Sequence, residues 1–227
     1  MKSITLVACN RPAYTQQVLD SIKANDRYGY HLFIAVEPGC QEVVDLCKRV
    51  DFMPTTVIEN PTKLGINYNQ KSAYERAFFD GSEFNVALED DTVLAPDALD
   101  LANWFHALPW RDRYLLMNLF NTSKTAERPS EVEKTDAMCP WGWCFTRKQW
   151  NHWLCPNWMS DARGWDFSIV EMMRRLNFKS LTPIVSRTRN IGREGGANHT
   201  PELHDIAFKG LVMNDRPHTS FRVCTDA

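Results

Sequence analysis

Over its first hundred or so residues the chain alternates short, β-branched apolar runs with longer segments of helical spacing, and few folds accept that alternation. Strands are predicted at Ile4–Cys9, Leu32–Val36, Thr55–Ile58 and Phe84–Leu88, each followed by a helix, at Pro12–Lys23, Gln41–Val50, Asn67–Phe79 and Pro96–Phe105. A strand that reaches the next strand through a helix makes a right-handed crossover, so the strands run parallel. The expectation is an α/β fold, a mostly parallel central sheet flanked by helices, in a single domain covering residues 1–227. Such sheets bind ligands beyond the carboxyl ends of their strands. That rule singles out Asn10-Arg11, Glu37-Pro38-Gly39, Asn60 through Asn69, and Glu89-Asp90-Asp91.

The second half is less regular. Tyr114–Leu119 and Ser180–Ser186 read as strands, 123–136 as a polar, charged loop, Trp141–Phe145 as an aromatic segment, and Arg147–Leu154 and Trp165–Leu176 as helices. Residues 190–199 hold three glycines within 192–196, and such a segment loses much entropy on ordering, which suits a loop that closes on a ligand.

No stretch approaches the about 20 apolar residues that cross a bilayer, and the strand-like start leaves no room for a signal peptide. The seven cysteines are odd in number, form no zinc-type CxxC pairs and lie mostly in apolar surroundings, as in a reduced, cytoplasmic protein. Residues 1–110 carry 9 basic against 15 acidic side chains and residues 111–227 carry 17 against 13. The acidic half suits a metal and the basic half a polyanionic ligand, although solvated surfaces differ by chance to a similar degree.

Glu89-Asp90-Asp91 follows a buried strand directly. Three crowded carboxylates repel one another unless a cation is present, and hard cations such as Mn2+ or Mg2+ take carboxylate and phosphate oxygens together. The plainer reading is a solvated turn, or acids favoured by a helix dipole. Its place after an apolar strand in an α/β repeat favours the metal.

At this point the chain resembles a known family. Ala8-Cys9-Asn10-Arg11, Glu37, Leu88-Glu89-Asp90-Asp91 with Ala95-Pro96-Asp97, Trp141-Gly142-Trp143, Gly164-Trp165-Asp166 and Ser186 through Gly195 resemble, in order and spacing, segments of the GT-A glycosyltransferases, and of the N-acetylglucosaminyltransferase I family in particular. The Glu-Asp-Asp resembles that fold's DxD-type motif. The resemblance implies a hexosyl or N-acetylhexosaminyl transfer from a nucleotide-sugar donor, a UDP-sugar, with Asp91 as direct metal ligand and Asp90 at the donor sugar or ribose. It further implies Arg11 and Glu37 at the nucleotide, Asp166 as catalytic base, Trp165 beside the transferred sugar, and 190–199 as a loop ordering over the donor. Arg189 or Arg193 would neutralise the departing diphosphate, Glu89 would share in the metal site, and His199 would reach the metal or the diphosphate. The chain differs from that family in having no membrane anchor or stem, in being shorter, and in carrying Glu37 where the family has aspartate.

Each residue has a structural rival. Arg11 caps carbonyls or meets a surface acid, Glu37 starts a turn, Trp141, Trp143 and Trp165 are core, Asp166 caps the helix Phe167–Leu176, and His199 is idle. A nucleotidyltransferase would show a Gly-rich, Lys-containing loop after the first strand, where the chain reads Ala8-Cys9-Asn10-Arg11-Pro12. A nucleotide-binding module would have no use for Asp166, and the dinucleotide fingerprint GxGxxG is missing from the first turn. The acceptor stays open between a glycan and hydroxymethylated bases in DNA, as in phage-type DNA glycosyltransferases. The latter draws on Arg147, Lys148, Arg163, Arg174, Arg175 and Lys179. The sequence sets no oligomeric state.

Overall fold

Strand β1 (Lys2–Ala8) turns Ile4, Leu6 and Ala8 to one face of a sheet and Val7 to the other, as a period of two requires. The computed structural model describes residues 1–25, 28–159, 161–195 and 200–224. Helix α1 (Pro12–Ala24) starts on a proline, whose fixed φ suits a first turn, and buries Thr15, Val18, Leu19 and Ile22 along one stripe. Then come β2 (Tyr30–Val36), α2 (Gln41–Lys48), β3 (Thr55–Glu59), α3 (Gly65–Phe79) and β4 (Phe84–Glu89). All three pairings among β1–β4 are parallel, in the order β4-β1-β2-β3. The four predicted strands and the first three helices thus form within two residues of their expected limits. The helix expected at Pro96–Phe105 is α4 (Ala98–Ala107), which follows β5 (Thr92–Leu94).

The second half extends the sheet in mixed fashion through β6 (Met117–Asn118), β7 (Glu131–Thr135), β8 (Trp143–Thr146), β9 (Ser180–Pro183) and β11 (Arg222–Val223). Among the described residues, nine strands run in the order β11-β7-β9-β6-β8-β4-β1-β2-β3, with β8 antiparallel to β4. Between β8 and β9 lie α5 (Arg147–Gln149), a π turn at Trp150–Leu154 and α6 (Trp165–Leu176). β10 (Thr188–Asn190) pairs antiparallel with β5 as a separate ribbon, and α7 (Pro201–Phe208) precedes the final strand. Strand β7 stands inside the stretch expected as a loop. Only Val132 of its five residues is buried, so its sequence carries little apolar signal. The strands expected at Tyr114–Leu119 and Ser180–Ser186 shrink to β6 and β9.

Two apolar layers sandwich the sheet. α1, α2 and α4 cover the face of Ile4, Leu32 and Phe84. On the other face α3 and α6 enclose an aromatic core in which Tyr74 meets Trp143, Phe145, Trp150 and Trp158 edge-on, with ring centroids 5.3–5.9 Å apart. Among the described residues, no helix is long and apolar enough to cross a membrane.

A buried ion pair ties the late chain to the early one. Arg187 and Asp97 both have fully buried side chains, and Nε lies 2.9 Å from Oδ1. Asp97 also accepts from Asn214 Nδ2 at 2.9 Å and from the His218 backbone N–H at 3.2 Å, while Arg187 donates to the carbonyls of Val185 and Pro129. Removing one partner leaves the other charge buried without compensation. Arg187→Met is therefore expected to destabilise the fold by about 3–5 kcal/mol in urea unfolding, and the double variant with Asp97→Asn by less than the sum of the two single variants.

Candidate active site

β1 has β2 on one side and β4 on the other, so the chain's winding reverses between β1 and β4, the position at which sheets of this kind form a ligand crevice beyond their carboxyl ends. β1 delivers Cys9, Asn10 and Arg11 to that crevice, and β4 delivers Glu89-Asp90-Asp91. The guanidinium of Arg11 bonds to Asp90 Oδ1 through Nη2 and lies 2.9 Å from Asp91 Oδ2 through Nη1. The backbone N–H of Cys9 donates to the other Asp90 oxygen at 3.3 Å. Burial opposes the charge on Arg11, but Asp90 and Asp91 outweigh it and hold the guanidinium above its usual pKa.

The three acids face different partners. Glu89 continues the β4 alternation onto the α3 face, where Gln70 Nε2 donates to its Oε1 at 2.7 Å and the Tyr74 hydroxyl donates to Gln70 Oε1 at 2.9 Å. Burial, then Asp91 and Asp90, push the Glu89 carboxyl up to about 8. Burial also raises Asp90, against the pull of Arg11. Asp91, 6% exposed, accepts from Asn190 Nδ2 at 3.1 Å, and its carbonyl accepts from the Ile191 N–H at 2.8 Å. The β5–β10 ribbon sets that contact, because it pairs Asn190 with Thr92 and so brings residues 190–192 over Asp91.

Gly192 closes the crevice. A Cβ there would lie 2.1 Å from Asp91 Oδ2 and 2.9 Å from Arg11 Nη1. Gly192→Ala is accordingly expected to force the ribbon off the acids at a cost of about 1–3 kcal/mol in urea unfolding, the scale of an overpacked site.

Glu37 is buried after β2 and accepts from the Leu64 N–H through both oxygens, at 3.0 and 3.2 Å, fixing the start of α3. It also lines an open groove of about 380 Å³ with Pro38, Gly39, Gln41, Glu59 and Asn60, at the carboxyl ends of β2 and β3. Asn67 joins the starts of two helices: its carbonyl accepts from Trp158 Nε1 at 2.9 Å and its Oδ1 lies 3.4 Å from the Trp165 nitrogen. One turn along α3 from Asn67 stands Gln70, the residue whose amide donates to Glu89.

Several expectations need correction. Gly164, at φ +149, occupies the N-cap of α6, and Asp166 sits in the first turn, half-buried, so it does not cap a helix starting at Phe167. Trp165 is 3% exposed and stacks with Trp158 and Trp143 at 4.9 and 5.6 Å between centroids. A ring so enclosed has no face to offer a sugar and belongs to the core. Arg189 lies on the opposite face of β10 from Asn190, so its exposed side chain leads away from Asp91. Arg193 pairs with Asp205 of α7 at 3.0 Å and with Glu194 at 3.6 Å. The arginine that meets the acids is Arg11. His199 and the end of the Gly-rich segment lie outside the described residues.

Sequence reasoning did not single out Gln70, Asn190 or, as a packing residue, Gly192. Gln70 carried a faint signal, as a polar residue within a helix whose neighbours Ala73, Tyr74 and Ala77 are apolar.

The fold is that of the GT-A nucleotide-sugar transferases. No protein-family model and no curated protein sequence matches the chain. Among solved structures it is similar to S. aureus TarS 1-349 in complex with UDP-GlcNAc, with a TM-score of 0.61 and 12% identity over 91% of this chain and 64% of that one. It is also similar to the mannosyltransferase PcManGT from Pyrobaculum calidifontis in complex with GDP-Man and Mn2+, with a TM-score of 0.57 and 14% identity over 80% of this chain and 54% of that one. The chain thus spans between about half and two thirds of the length of these structures.

Proposed function

We propose that the protein is a metal-dependent glycosyltransferase that moves a sugar from a nucleotide-sugar donor, a UDP-sugar, to a hydroxyl of a glycan acceptor with inversion. The observation that carries this reading is the acidic triplet at the winding reversal of a GT-A fold, with Arg11 bonded to two of its members. Among the described residues no three His, Cys, Asp or Glu side chains are arranged as a closed cation cage. Mn2+ and Mg2+ in diphosphate sites commonly take only one or two carboxylates, with substrate phosphates and water completing the shell. The donor set fits in its chemistry: hard carboxylate oxygens, at a place where burial above all holds Glu89 and Asp90 above their usual range. Asp91 would hold the ion with the donor diphosphate, and the bound ion would offset charge on the leaving group.

Asp90 and Arg11 lie where the ribose and diphosphate would enter, and the groove beside Glu37 has room for the base. Asp166, on the first turn of α6, would take the proton of the acceptor hydroxyl as that oxygen attacks the anomeric carbon. A single displacement inverts that carbon. The acceptor in this reading is a glycan, and the basic residues that suggested a polyanion each have a surface partner. Arg147 meets Glu83, Lys148 Asp112, Arg163 Asp161, Arg174 Glu171 and Lys179 Asp136, while Arg175 donates to Asn157. The seven cysteines are all free, in keeping with a cytoplasmic setting.

A screen of donor hydrolysis across UDP- and GDP-sugars with Mn2+, repeated with oligosaccharide and hydroxymethylated-DNA acceptors, tests the proposal. Absence of hydrolysis and transfer for every pair would overturn it, and transfer to the DNA alone would replace the acceptor.

A further inference from the structure

Arg11 occupies the space that a cation on Asp91 needs. Its Nη1 is 2.9 Å from Asp91 Oδ2, Asn190 engages Oδ1 at 3.1 Å, and Gly192 blocks approach from the ribbon side. An ion reaching Oδ2 therefore has to displace the guanidinium, which is itself mostly buried and cannot be left unpaired without a large loss. A diphosphate offers the replacement. Guanidinium forks pair with phosphate as well as with carboxylate.

We propose that Arg11 is an exchangeable counter-ion that makes the acidic site selective for a divalent cation arriving with a diphosphate over the cation alone. This rests on the nucleotide-sugar reading above. As the cation takes Asp91, Arg11 moves its fork to the diphosphate. Charge balance favours the paired arrival. Asp90, Asp91 and Arg11 together leave one net negative charge, a divalent ion alone would invert its sign, and a doubly negative diphosphate diester restores it. The two ligands thus help each other to bind, and by linkage each raises the other's affinity by the same factor.

Calorimetry and titration of free Mn2+ by electron paramagnetic resonance test the exchange in the full chain, with Mn2+ alone, UDP alone, and both after correction for their complex in solution. Wild-type protein is expected to bind Mn2+ alone weakly and about tenfold or more tightly once UDP is present. Arg11→Gln is expected to bind Mn2+ alone about tenfold more tightly than wild type, bind UDP less tightly, and lose most of the mutual gain. Arg11→Lys, which keeps the charge but not the fork, is expected to fall between them and carries the comparison if Arg11→Gln does not fold. An Arg11→Gln protein that binds Mn2+ no more tightly than wild type, or an Arg11→Lys protein with unchanged coupling, overturns the exchange while leaving the proposed function standing. Wild-type protein that binds neither Mn2+ nor its UDP complex overturns both.

Discussion

An Asp91→Asn protein is expected to stay folded and to lose metal-dependent binding of a nucleoside diphosphate. The residue lies just past the end of β4, and its backbone bond to Ile191 does not depend on the side chain. Asparagine matches its volume, and the amide oxygen can still accept from Asn190. What disappears is the anionic oxygen opposite Arg11, which a hard cation would use. The loss in affinity for Mn2+–UDP is expected to be about a hundredfold or more, on the order of 2.7 kcal/mol or above. Titration calorimetry on both proteins, with circular dichroism as the folding control, reads the effect. Equal affinities would remove Asp91 from the site.

Asp166→Asn is expected to give the opposite pattern, with donor and metal binding near wild type and kcat lowered by on the order of 10²–10⁴, the range for loss of a general base. The helix should tolerate the change, since Gly164 and not Asp166 occupies the cap. A carboxylate in the first turn contributes only about 0.3–1 kcal/mol through the helix dipole. Asparagine keeps the shape and cannot accept the proton. Steady-state kinetics with binding measured separately distinguish the two variants, and the anomeric configuration of the product gives an independent check. Normal kcat, or a retained configuration, would leave Asp166 as a residue of the helix start alone.

The parallel half was legible because each of its elements buries one face, and burial writes a period into the sequence: Ile4, Leu6 and Ala8 in a strand, Val18, Leu19 and Ile22 in a helix. Glu89-Asp90-Asp91 and Arg11 were legible for the same reason, as the residues next after such strands. The rest escaped for physical causes. β7 is a strand of mostly solvated side chains, so its alternation is polar on polar. β10 and β11 have three and two residues, too few for any period. Asn190 and Gly192 reach Asp91 only through the β5–β10 register, and local spacing cannot express a contact across 99 residues. Trp165 shows the converse: a tryptophan beside a candidate base is equally good sequence for a sugar platform and for a core, and only the stack of indoles decides.

The Arg187–Asp97 pair and the β5–β10 ribbon together bear on how far the protein can be taken apart. The sheet invites division into a half of parallel strands and a half of mixed strands, with the cut near residue 110. Such a cut would strip Asp97 of its cation, Asp91 of its backbone partner at Ile191, and the acids of their cover at Gly192. A chimera that kept residues 1–110 and took its remainder from another protein of the same fold would have to supply all three at matching positions. Modularity here stops at the level of the sheet. The acidic site is a joint between distant stretches of one chain, and the two halves can be exchanged only together.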